Sequence, residues 1–424
     1  METLKQGSFG PQVALLQATL KRIGYYTASL DGSFGPITKA AVTKFQNDWD
    51  LASDGIVGPA TWQALHPYIT GYVKHKIKSG DTIYKLANLY QTRQQAIETA
   101  NPSLIGKYLV PGANIIIPFS FPVVFTNIPF THTVLTLCIE GLKARYPFIQ
   151  TKTIGKSING KNISSLAIGI GTNKVMYNAS HHANEWITSP LLMKFLEQYA
   201  KSYATNTNLA GYKTKELYNT STIYLVPMVN PDGVDLVTGE IKPGSPSYAY
   251  AKGINTPDIN FPSGWKANIR GVDLNLNYPA GWENAKKIKY AEGYTKPGPR
   301  DYVGPYPLSE PESQAMANFT KENAFKLTIS YHTQGEVIYW KYLNYQPTHS
   351  YEIAQKFAMA SGYAVEETPI YSGYAGYKDW FIQTYNRPGY TIEVGLGQSP
   401  LPLSQFNKIY DDNLAILLIG AQPF

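Results

Sequence analysis

The sequence predicts a multidomain protein in which two small modules precede one large α/β domain. The chain has 424 residues, more than a single hydrophobic core usually supports, so two or three domains are expected. A short turn motif recurs three times in the first 70 residues. From residue 130 onwards, strand-like and helix-like segments alternate to the end of the chain. These observations predict a helical module, a small mixed module and an α/β domain, in that order.

The first module, residues 1–70, is predicted from its repeated turns. The motifs "GSFGP", "DGSFGP" and "DGIVGP" each precede a helical pattern. Glycine permits the tight turn, and proline suits the first position of a helix. In the first helix, apolar residues recur at steps of three and four, which predicts one buried stripe formed by Val13, Leu16, Leu20 and Ile23. The segment is therefore a predicted three-helix module.

The same segment resembles the peptidoglycan-binding domain of bacterial wall hydrolases. The resemblance rests on "DGSFGPITKAAVTKFQ" and "DGIVGPATWQAL" and covers the whole segment. It implies that the module binds peptidoglycan; the alternative is a helical bundle without a ligand.

The second module, residues 71–119, has the order strand–helix–helix–strand. "SGDT" is predicted to cap a helix that starts at Ile83, and "LVPGANIIIP" ends in a short apolar strand. The module resembles a LysM domain through "SGDTIYKLANLY", "ANP" and "LVPGANIIIP". This resemblance implies a second anchor, for glycans that contain N-acetylglucosamine.

The third part, residues 120–424, begins with a proline-containing linker and is predicted to be α/β with a mixed central sheet. Helical patterns such as residues 189–204 lie between the strands, so helices are expected on both faces of the sheet. In such folds, functional sites gather at the carboxyl ends of strands. The apolar runs that predict strands are 163–171, 174–180, 222–230, 326–333 and 389–397.

A cluster of polar residues, "HHANEW", directly follows one of these strands. His182 and Glu185 are three positions apart, and His181 and Glu185 are four apart. Either spacing can direct two side chains to one point on a helical turn, so the spacing leaves both histidines open. Taken alone, the pair is more often a surface histidine beside a solvated glutamate than a metal site.

Two further strand ends carry residues that complete a metal site. His332 follows the apolar run "KLTIS", and Glu393 lies within the apolar run "YTIEVG". A carboxylate in such a run needs a partner or a role, because its burial is costly. Two histidines and one glutamate form a known zinc set that leaves a fourth position for water. A second glutamate can then accept the proton of that water.

The third part resembles the zinc metallocarboxypeptidases along nearly all of residues 130–424. The resemblance implies one zinc ion held by His182, Glu185 and His332, with Glu393 as general base. It also implies that Tyr371 is a mobile tyrosine that covers the substrate. The motifs that carry it, in the order of the family, are "HHANEW", "NPDGV", "WKANIRGVDLNLNY", "SYHTQ", "YSGYAGYKDW" and "YTIEV".

Two positions depart from the family pattern. Lys266 stands where the family has the arginine that polarises the scissile carbonyl, and Arg270 lies close enough in sequence to share this role. Leu276, after the substrate-binding candidate Asn275, stands where the family has the arginine that reads a free C-terminal carboxylate. This second departure disfavours ordinary carboxypeptidase activity.

The residue before "DW" lies at the base of the side-chain pocket in the family. Here this residue is Lys378, and a cation in a confined pocket favours a substrate carboxylate. The alternative is a lysine whose ammonium group reaches solvent.

The order of the three parts resembles the γ-D-glutamyl-diamino acid endopeptidases of spore-forming bacilli. The resemblance implies hydrolysis of the γ-D-glutamyl–meso-diaminopimelate (or γ-D-glutamyl–Lys) bond of wall peptides. Diaminopimelate has an additional carboxylate that Lys378 could bind. Two alternatives are a conventional carboxypeptidase and a catalytically dead wall-binding adaptor.

The expected partners are peptidoglycan glycan strands and stem peptides. The net charge of +7 suits an anionic wall polymer, although a mildly basic solvated surface would give the same value. Lys and Arg are not clustered, and no apolar run approaches the roughly 18–20 residues that span a bilayer, so neither nucleic acid nor membrane is expected. The N-terminus lacks the pattern of a signal peptide. We therefore expect a cytoplasmic protein, one released in sporulation, or a wall-associated mature form.

Overall fold

The computed structural model describes residues 1–104, 106 and 108–424. It contains two compact units, of which the first comprises residues 1–150 and 200–205 and the second comprises residues 151–199 and 206–424.

The first unit begins with three helices, α1 (Pro11–Arg22), α2 (Pro36–Asp48) and α3 (Pro59–Thr70), each of which starts at the proline of a repeated motif. Val13, Leu16 and Leu20 are buried as predicted, whereas Ile23, just beyond the end of α1, is half-buried.

Two buried glutamines explain why the "DG" turn recurs. The side-chain amide of Gln17 donates to Asp31 Oδ1 at 2.7 Å, and its carbonyl accepts from Gly32 N at 2.9 Å. Gln46 makes the equivalent bonds to Asp54 at 3.1 Å and to Gly55 N at 2.9 Å. Each helix thus fixes the turn that starts the next helix.

The predicted strand–helix–helix–strand module follows. It consists of β1 (Tyr72–Lys76), α4 (Ile83–Leu89), α5 (Gln94–Ala100) and β2 (Asn114–Pro118), with β1 and β2 antiparallel. The hydroxyl of Thr82 accepts from Lys85 N at 3.1 Å, which is the predicted cap of α4.

Helix α6 (His132–Arg145) also belongs to the first unit and packs against α3. A Cβ atom at Gly141 would lie 2.1 Å from the carbonyl oxygen of Thr70, so only glycine permits this approach. Within the predicted linker, Val123, Phe125 and Ile128 are buried.

The second unit is built on a mixed eight-stranded sheet, counted over residues that are all described. Its strand order is β11-β10-β12-β9-β5-β8-β4-β3, and the central strands β12, β9, β5 and β8 are mutually parallel. The strands are β3 (Gln150–Lys156), β4 (Asn162–Ile168), β5 (Asn173–Ala179), β8 (Ser221–Val226), β9 (Leu327–His332), β10 (Val337–Tyr339), β11 (Ala364–Glu366) and β12 (Gly389–Glu393). A separate two-stranded hairpin is formed by β6 (Asn208–Leu209) and β7 (Tyr212–Lys213).

Helices cover both faces of this sheet, as predicted. Met176 of β5 packs in a core cluster with residues of two helices, whereas its neighbour Tyr177 donates to Leu417 O of a third helix at 2.9 Å. Successive side chains of a strand point to opposite faces. The helices are α7 (Thr188–Thr205), α8 (Thr214–Thr220), α9 (Pro231–Val237), α10 (Pro246–Gly253), α11 (Trp282–Ala291), α12 (Pro311–Glu322), α13 (Ser350–Ser361), α14 (Tyr377–Tyr385) and α15 (Phe406–Ile419).

The parallel centre of the sheet positions the functional residues. Strands β5, β9 and β12 run in the same direction, so their carboxyl ends meet at one edge. His332 and Glu393, the last residues of β9 and β12, are direct register partners. The segment with His182 and Glu185 follows the carboxyl end of β5.

Candidate metal centre and active site

A tight turn after β5 presents His182 and Glu185. Ser180 has a left-handed backbone conformation (φ 53°), and its N–H donates to Thr188 Oγ1 at 3.1 Å. The same hydroxyl donates to Glu185 O at 2.7 Å, which closes the turn around a short 3₁₀ segment, residues 183–185. The turn therefore positions both side chains through hydrogen bonds of its own residues.

Three buried side chains converge at this point. His182 Nδ1 lies 2.8 Å from Glu185 Oε1 and 3.1 Å from His332 Nδ1, and His332 Nδ1 lies 2.9 Å from Glu185 Oε2. Among the described residues, His182, Glu185 and His332 are the one group whose ligand atoms lie close enough to hold a metal ion.

The donor atoms of this group fit zinc. Tetrahedral zinc with Zn–N bonds of about 2.0–2.1 Å separates neighbouring ligand atoms by roughly 3.3 Å, close to the spacings observed here. Two imidazole nitrogens that face each other and a carboxylate direct their lone pairs to one point. A bound cation satisfies all three, and zinc accepts this combination of nitrogen and oxygen ligands.

Asp273 contacts the side of the His182 ring that is opposite the candidate ligand group. Its Oδ1 atom lies 3.0 Å from His182 Nε2 and also accepts from Asn275 N at 3.1 Å. A carboxylate on the far nitrogen fixes the orientation of the ring and leaves Nδ1 for the metal. Although burial lowers it, the charges of Glu185 and Asp273 raise the pKa of His182 to about 9. A bound dication opposes this effect, because it repels the imidazolium form.

His181 lies outside the ligand group. Its Nε2 atom is 3.0 Å from the hydroxyl of Tyr278, and its ring stacks on that of His332 at 5.9 Å. Burial and the neighbouring His332 and His182 hold its pKa well below the ordinary value, so the ring is neutral. The geometry thus distinguishes the two histidines that spacing alone left open.

Glu393 faces the same edge of the sheet without joining the ligand group. It lines two cavities, in one together with Glu185 and in the other with His182 and His332. Burial, followed by the charge of Glu185, raises the pKa of Glu393 to about 8. A bound dication would lower this value, because it favours a carboxylate beside it.

The two candidate oxyanion cations occupy different environments. The ammonium of Lys266 lies 3.9 Å from Asp273 Oδ2 and lines both cavities. Burial lowers the pKa of Lys266, but the charges of Asp273 and Glu185 outweigh it and raise the value, so the side chain is a cation. Arg270 instead points towards Glu310, 3.6 Å away, is half exposed, and lines neither cavity.

The predicted substrate-binding residues gather only in part. Asn275 and Lys378 line a cavity of about 180 Å³ together with Leu276. Lys378 is buried, and its ammonium contacts Asp379 Oδ1 at 2.6 Å and donates to Lys341 O at 2.7 Å. It does not reach solvent, and its charge is already paired. Tyr371 is 63% exposed and lines neither cavity.

A second, larger cavity of about 650 Å³ lies beside Glu185 and Glu393. Its lining is mainly polar, with amide and hydroxyl side chains. It is also lined by Arg300, a residue that was not predicted because no motif or period in the sequence marks it. Asp273 was missed as well, although it lies inside the motif "WKANIRGVDLNLNY".

Comparison with known proteins identifies the family of this chain. The zinc carboxypeptidase family model matches residues 136–416. Gamma-D-glutamyl-L-diamino acid endopeptidase 1 of Lysinibacillus sphaericus is 45% identical over 286 residues, which cover 66% of this chain and 69% of that protein. The YqgT protein of Bacillus subtilis is 41% identical over 274 residues, which cover 64% of this chain and 72% of that protein.

A solved structure agrees at the level of the fold. The structure of bovine thrombin-activatable fibrinolysis inhibitor in complex with tick carboxypeptidase inhibitor superposes with a TM-score of 0.53 at 21% identity, covering 69% of this chain and 95% of that chain.

The fold and the buried His182, Glu185 and His332 group define a zinc peptidase. The chain belongs to the zinc carboxypeptidase family. Its N-terminal region contains the two other predicted domains, since a peptidoglycan-binding domain model matches residues 9–65 and a LysM domain model matches residues 75–118. Among the described residues, no helix combines the length and apolarity needed to cross a membrane.

Proposed function

We propose that this protein hydrolyses the γ-D-glutamyl–meso-diaminopimelate (or γ-D-glutamyl–Lys) bond of cell-wall peptides, with one zinc ion in the catalytic domain. The observation that carries this proposal is the group of His182, Glu185 and His332, with Glu393 beside it, at the smaller cavity. Among the described residues that line this cavity, Lys289 and Lys378 are already paired with carboxylates, and Lys266 is the proposed oxyanion cation. The 45% identity to gamma-D-glutamyl-L-diamino acid endopeptidase 1 supports the choice of bond.

The chemistry follows from the positions of these side chains. Zinc, when bound by His182, Glu185 and His332, acts as a Lewis acid and makes water more acidic. Glu393 accepts the proton of the attacking water and then delivers it to the leaving amine. Lys266 faces the same cavities and stabilises the negative charge that develops on the carbonyl oxygen.

The position of Leu276 disfavours the hypothesis of a conventional carboxypeptidase. Leu276 packs with Trp282, Val303 and Ala375 and is 7% exposed, so it offers no charge to a terminal carboxylate. Lys378 is occupied by Asp379. The smaller cavity therefore suits a substrate residue on the leaving-amine side of the cut bond. This residue would be recognised through its polar groups and not through a C-terminal carboxylate alone.

The two N-terminal domains support wall attachment. We infer that the peptidoglycan-binding and LysM domains bind glycan strands and hold the catalytic domain at its stem-peptide substrate.

The test is identification of the cut bond. The zinc-loaded full chain is incubated with L-Ala-γ-D-Glu-meso-diaminopimelate and the products are identified by mass spectrometry. Release of L-Ala-D-Glu is expected, both from this peptide and from a form whose C-terminal carboxylate is capped as an amide. In this tripeptide a conventional carboxypeptidase would cut the same bond, so the capped form decides: release of L-Ala-D-Glu from the uncapped form alone would support the conventional carboxypeptidase instead. Absence of any product would support the wall-binding adaptor.

A further inference from the structure

The larger cavity contains an arginine that the proposed chemistry does not use. The two cavities share Lys266 and Glu393, and Asn275 and Lys378 line the smaller one. In the proposed reaction the smaller cavity holds the amine half of the substrate. The acyl half, which begins with the γ-D-glutamyl residue, then extends into the larger cavity of about 650 Å³.

Backbone hydrogen bonds connect Arg300 to the metal-binding turn. Ala183 N, between the two ligands, donates to Lys266 O at 3.0 Å. The N–H groups of Lys266 and Ala267 both donate to Pro299 O, at 2.8 and 2.9 Å. The residue after this carbonyl is Arg300. Its main chain is thus connected to the turn through Lys266, by two successive backbone hydrogen bonds.

Asp301 orients the guanidinium group of Arg300 but contacts only its Nε atom. This Nε atom contacts Asp301 Oδ2 at 2.5 Å, and Lys289 contacts the other oxygen of Asp301 at 3.3 Å. Across the part of the chain that the structure describes, no hydrogen bond or ion pair engages Nη1 or Nη2 of Arg300. Two adjacent N–H donors match the two oxygens of a carboxylate.

The γ-linkage supplies such a carboxylate. Because the peptide bond is made through the side chain of D-glutamate, its α-carboxylate stays free, three carbons from the scissile carbonyl. An ordinary peptide has no anion at this place. We propose that Arg300 binds the free α-carboxylate of the γ-D-glutamyl residue. The enzyme then prefers a substrate with this free carboxylate over the same substrate with an α-amide. This inference rests on the proposed function.

Lys266 is less suited to this role. It is a point charge directed towards Asp273, and it lies next to the metal ligands, where the carbonyl oxygen develops its charge. Arg300 lines the larger cavity and is absent from the smaller one. The two cations therefore contact different groups of the substrate. Lys266 lies at the reacting carbonyl, and Arg300 lies at the α-carboxylate.

The experiment compares two substrates that differ at one group. The zinc-loaded full chain is assayed with L-Ala-γ-D-Glu-meso-diaminopimelate and with the same peptide carrying an α-amide on the glutamyl residue. We expect kcat/KM to be about 10- to 100-fold higher for the free acid, because a charge-assisted bidentate pair is lost with the amide. In Arg300→Gln this preference falls to about one, mainly through a higher KM for the acid, and Arg300→Lys retains part of it.

Lys296→Gln is the matched control, because it removes one positive charge from the same loop at an exposed residue that lines neither cavity. It is expected to keep the full preference. Equal kcat/KM for acid and amide in the unmodified protein overturns the role of Arg300, as does an equal loss on both substrates in Arg300→Gln. Cleavage of neither peptide by the unmodified protein overturns the proposed function itself, and the role of Arg300 with it.

Discussion

At the scale of single residues, Glu393 is the side chain on which the proposed reaction depends most. It ends β12 opposite His332, and no hydrogen bond to the ligand group is found for it among the described residues. It is therefore placed to exchange a proton without holding the metal.

Glu393→Gln is expected to abolish hydrolysis and leave zinc binding intact. The amide has nearly the same shape but cannot accept a proton, so kcat should fall by about 10²–10⁴-fold. Hydrolysis of the muropeptide and zinc content by atomic absorption are measured on the same preparation. Glu366→Gln, in the exposed strand β11, is the control and should behave as the unmodified protein. Most of the activity remaining in a zinc-loaded Glu393→Gln variant would remove Glu393 from the mechanism.

The sequence could indicate the residues that follow strands, but not the direction of side chains in loops. The sequence could group His182, His332 and Glu393 because apolar runs predict where strands end. Parallel strands end at one edge of the sheet, so the residues at these ends lie close together. Arg270 and Lys266 lie in one loop without a period, so nothing in the sequence indicates that only Lys266 faces the cavities. The pairing of Lys378 with its own neighbour Asp379 depends on the first turn of α14.

At the scale of elements, the loop between Lys266 and Asp273 is held by the start of α12. Asn268 donates to Glu310 Oε2 at 2.8 Å and to Glu312 Oε2 at 3.3 Å, and its own oxygen accepts from Val272 N at 3.0 Å. This buried network fixes the loop that carries Lys266, the proposed oxyanion cation, and Asp273, the hydrogen-bond partner of His182.

Glu312 makes the stability of this element dependent on pH. Burial raises the pKa of Glu312 to about 7, above its ordinary value of 4.5. The folded state then binds more protons than the unfolded state between these values, so stability falls as the pH rises through this range. The full cost, above about pH 7, is about 3 kcal/mol.

Glu312→Gln is expected to remove this dependence. Its melting temperature should exceed that of the unmodified protein at pH 8 by several degrees, and the difference should nearly vanish at pH 5. Thermal unfolding of both proteins at pH 5 and pH 8 measures this difference in melting temperature. Glu322→Gln, at the exposed end of the same helix, is the control. A difference that is equal at both pH values would contradict the assignment.

Most elements of the sheet were predictable, but their ends were not. The predicted strand 222–230 stops at Val226 because Pro227 cannot donate to a neighbouring strand. The predicted strand 389–397 stops at Glu393, before Gly395 and Gly397 with their positive φ angles. The edge strands β10 and β11 have three residues each, too short for a periodic pattern.

At the scale of the whole molecule, the order of domains was predictable because each small domain has its own turn and cap signals.

Removing residues 1–118 is expected to abolish cosedimentation with peptidoglycan sacculi and to spare cleavage of soluble peptides. The truncation also removes Thr70, which packs on Gly141 of α6, so partial insolubility is expected. Sedimentation without sacculi is therefore measured in parallel. Undiminished binding to sacculi would locate wall recognition elsewhere in the chain.

The register between β9 and β12 has a consequence for how this enzyme can diverge. Because His332 and Glu393 are direct partners, the backbone ladder itself sets the spacing of the candidate metal ligand and the proposed proton acceptor. A slip of one residue would turn either side chain to the opposite face. The side chain of Arg300 lies outside this ladder, so a change of this side chain leaves the register of the pair in place. We therefore expect substrate preference to change through side chains outside the ladder, while the ladder keeps the spacing of His332 and Glu393.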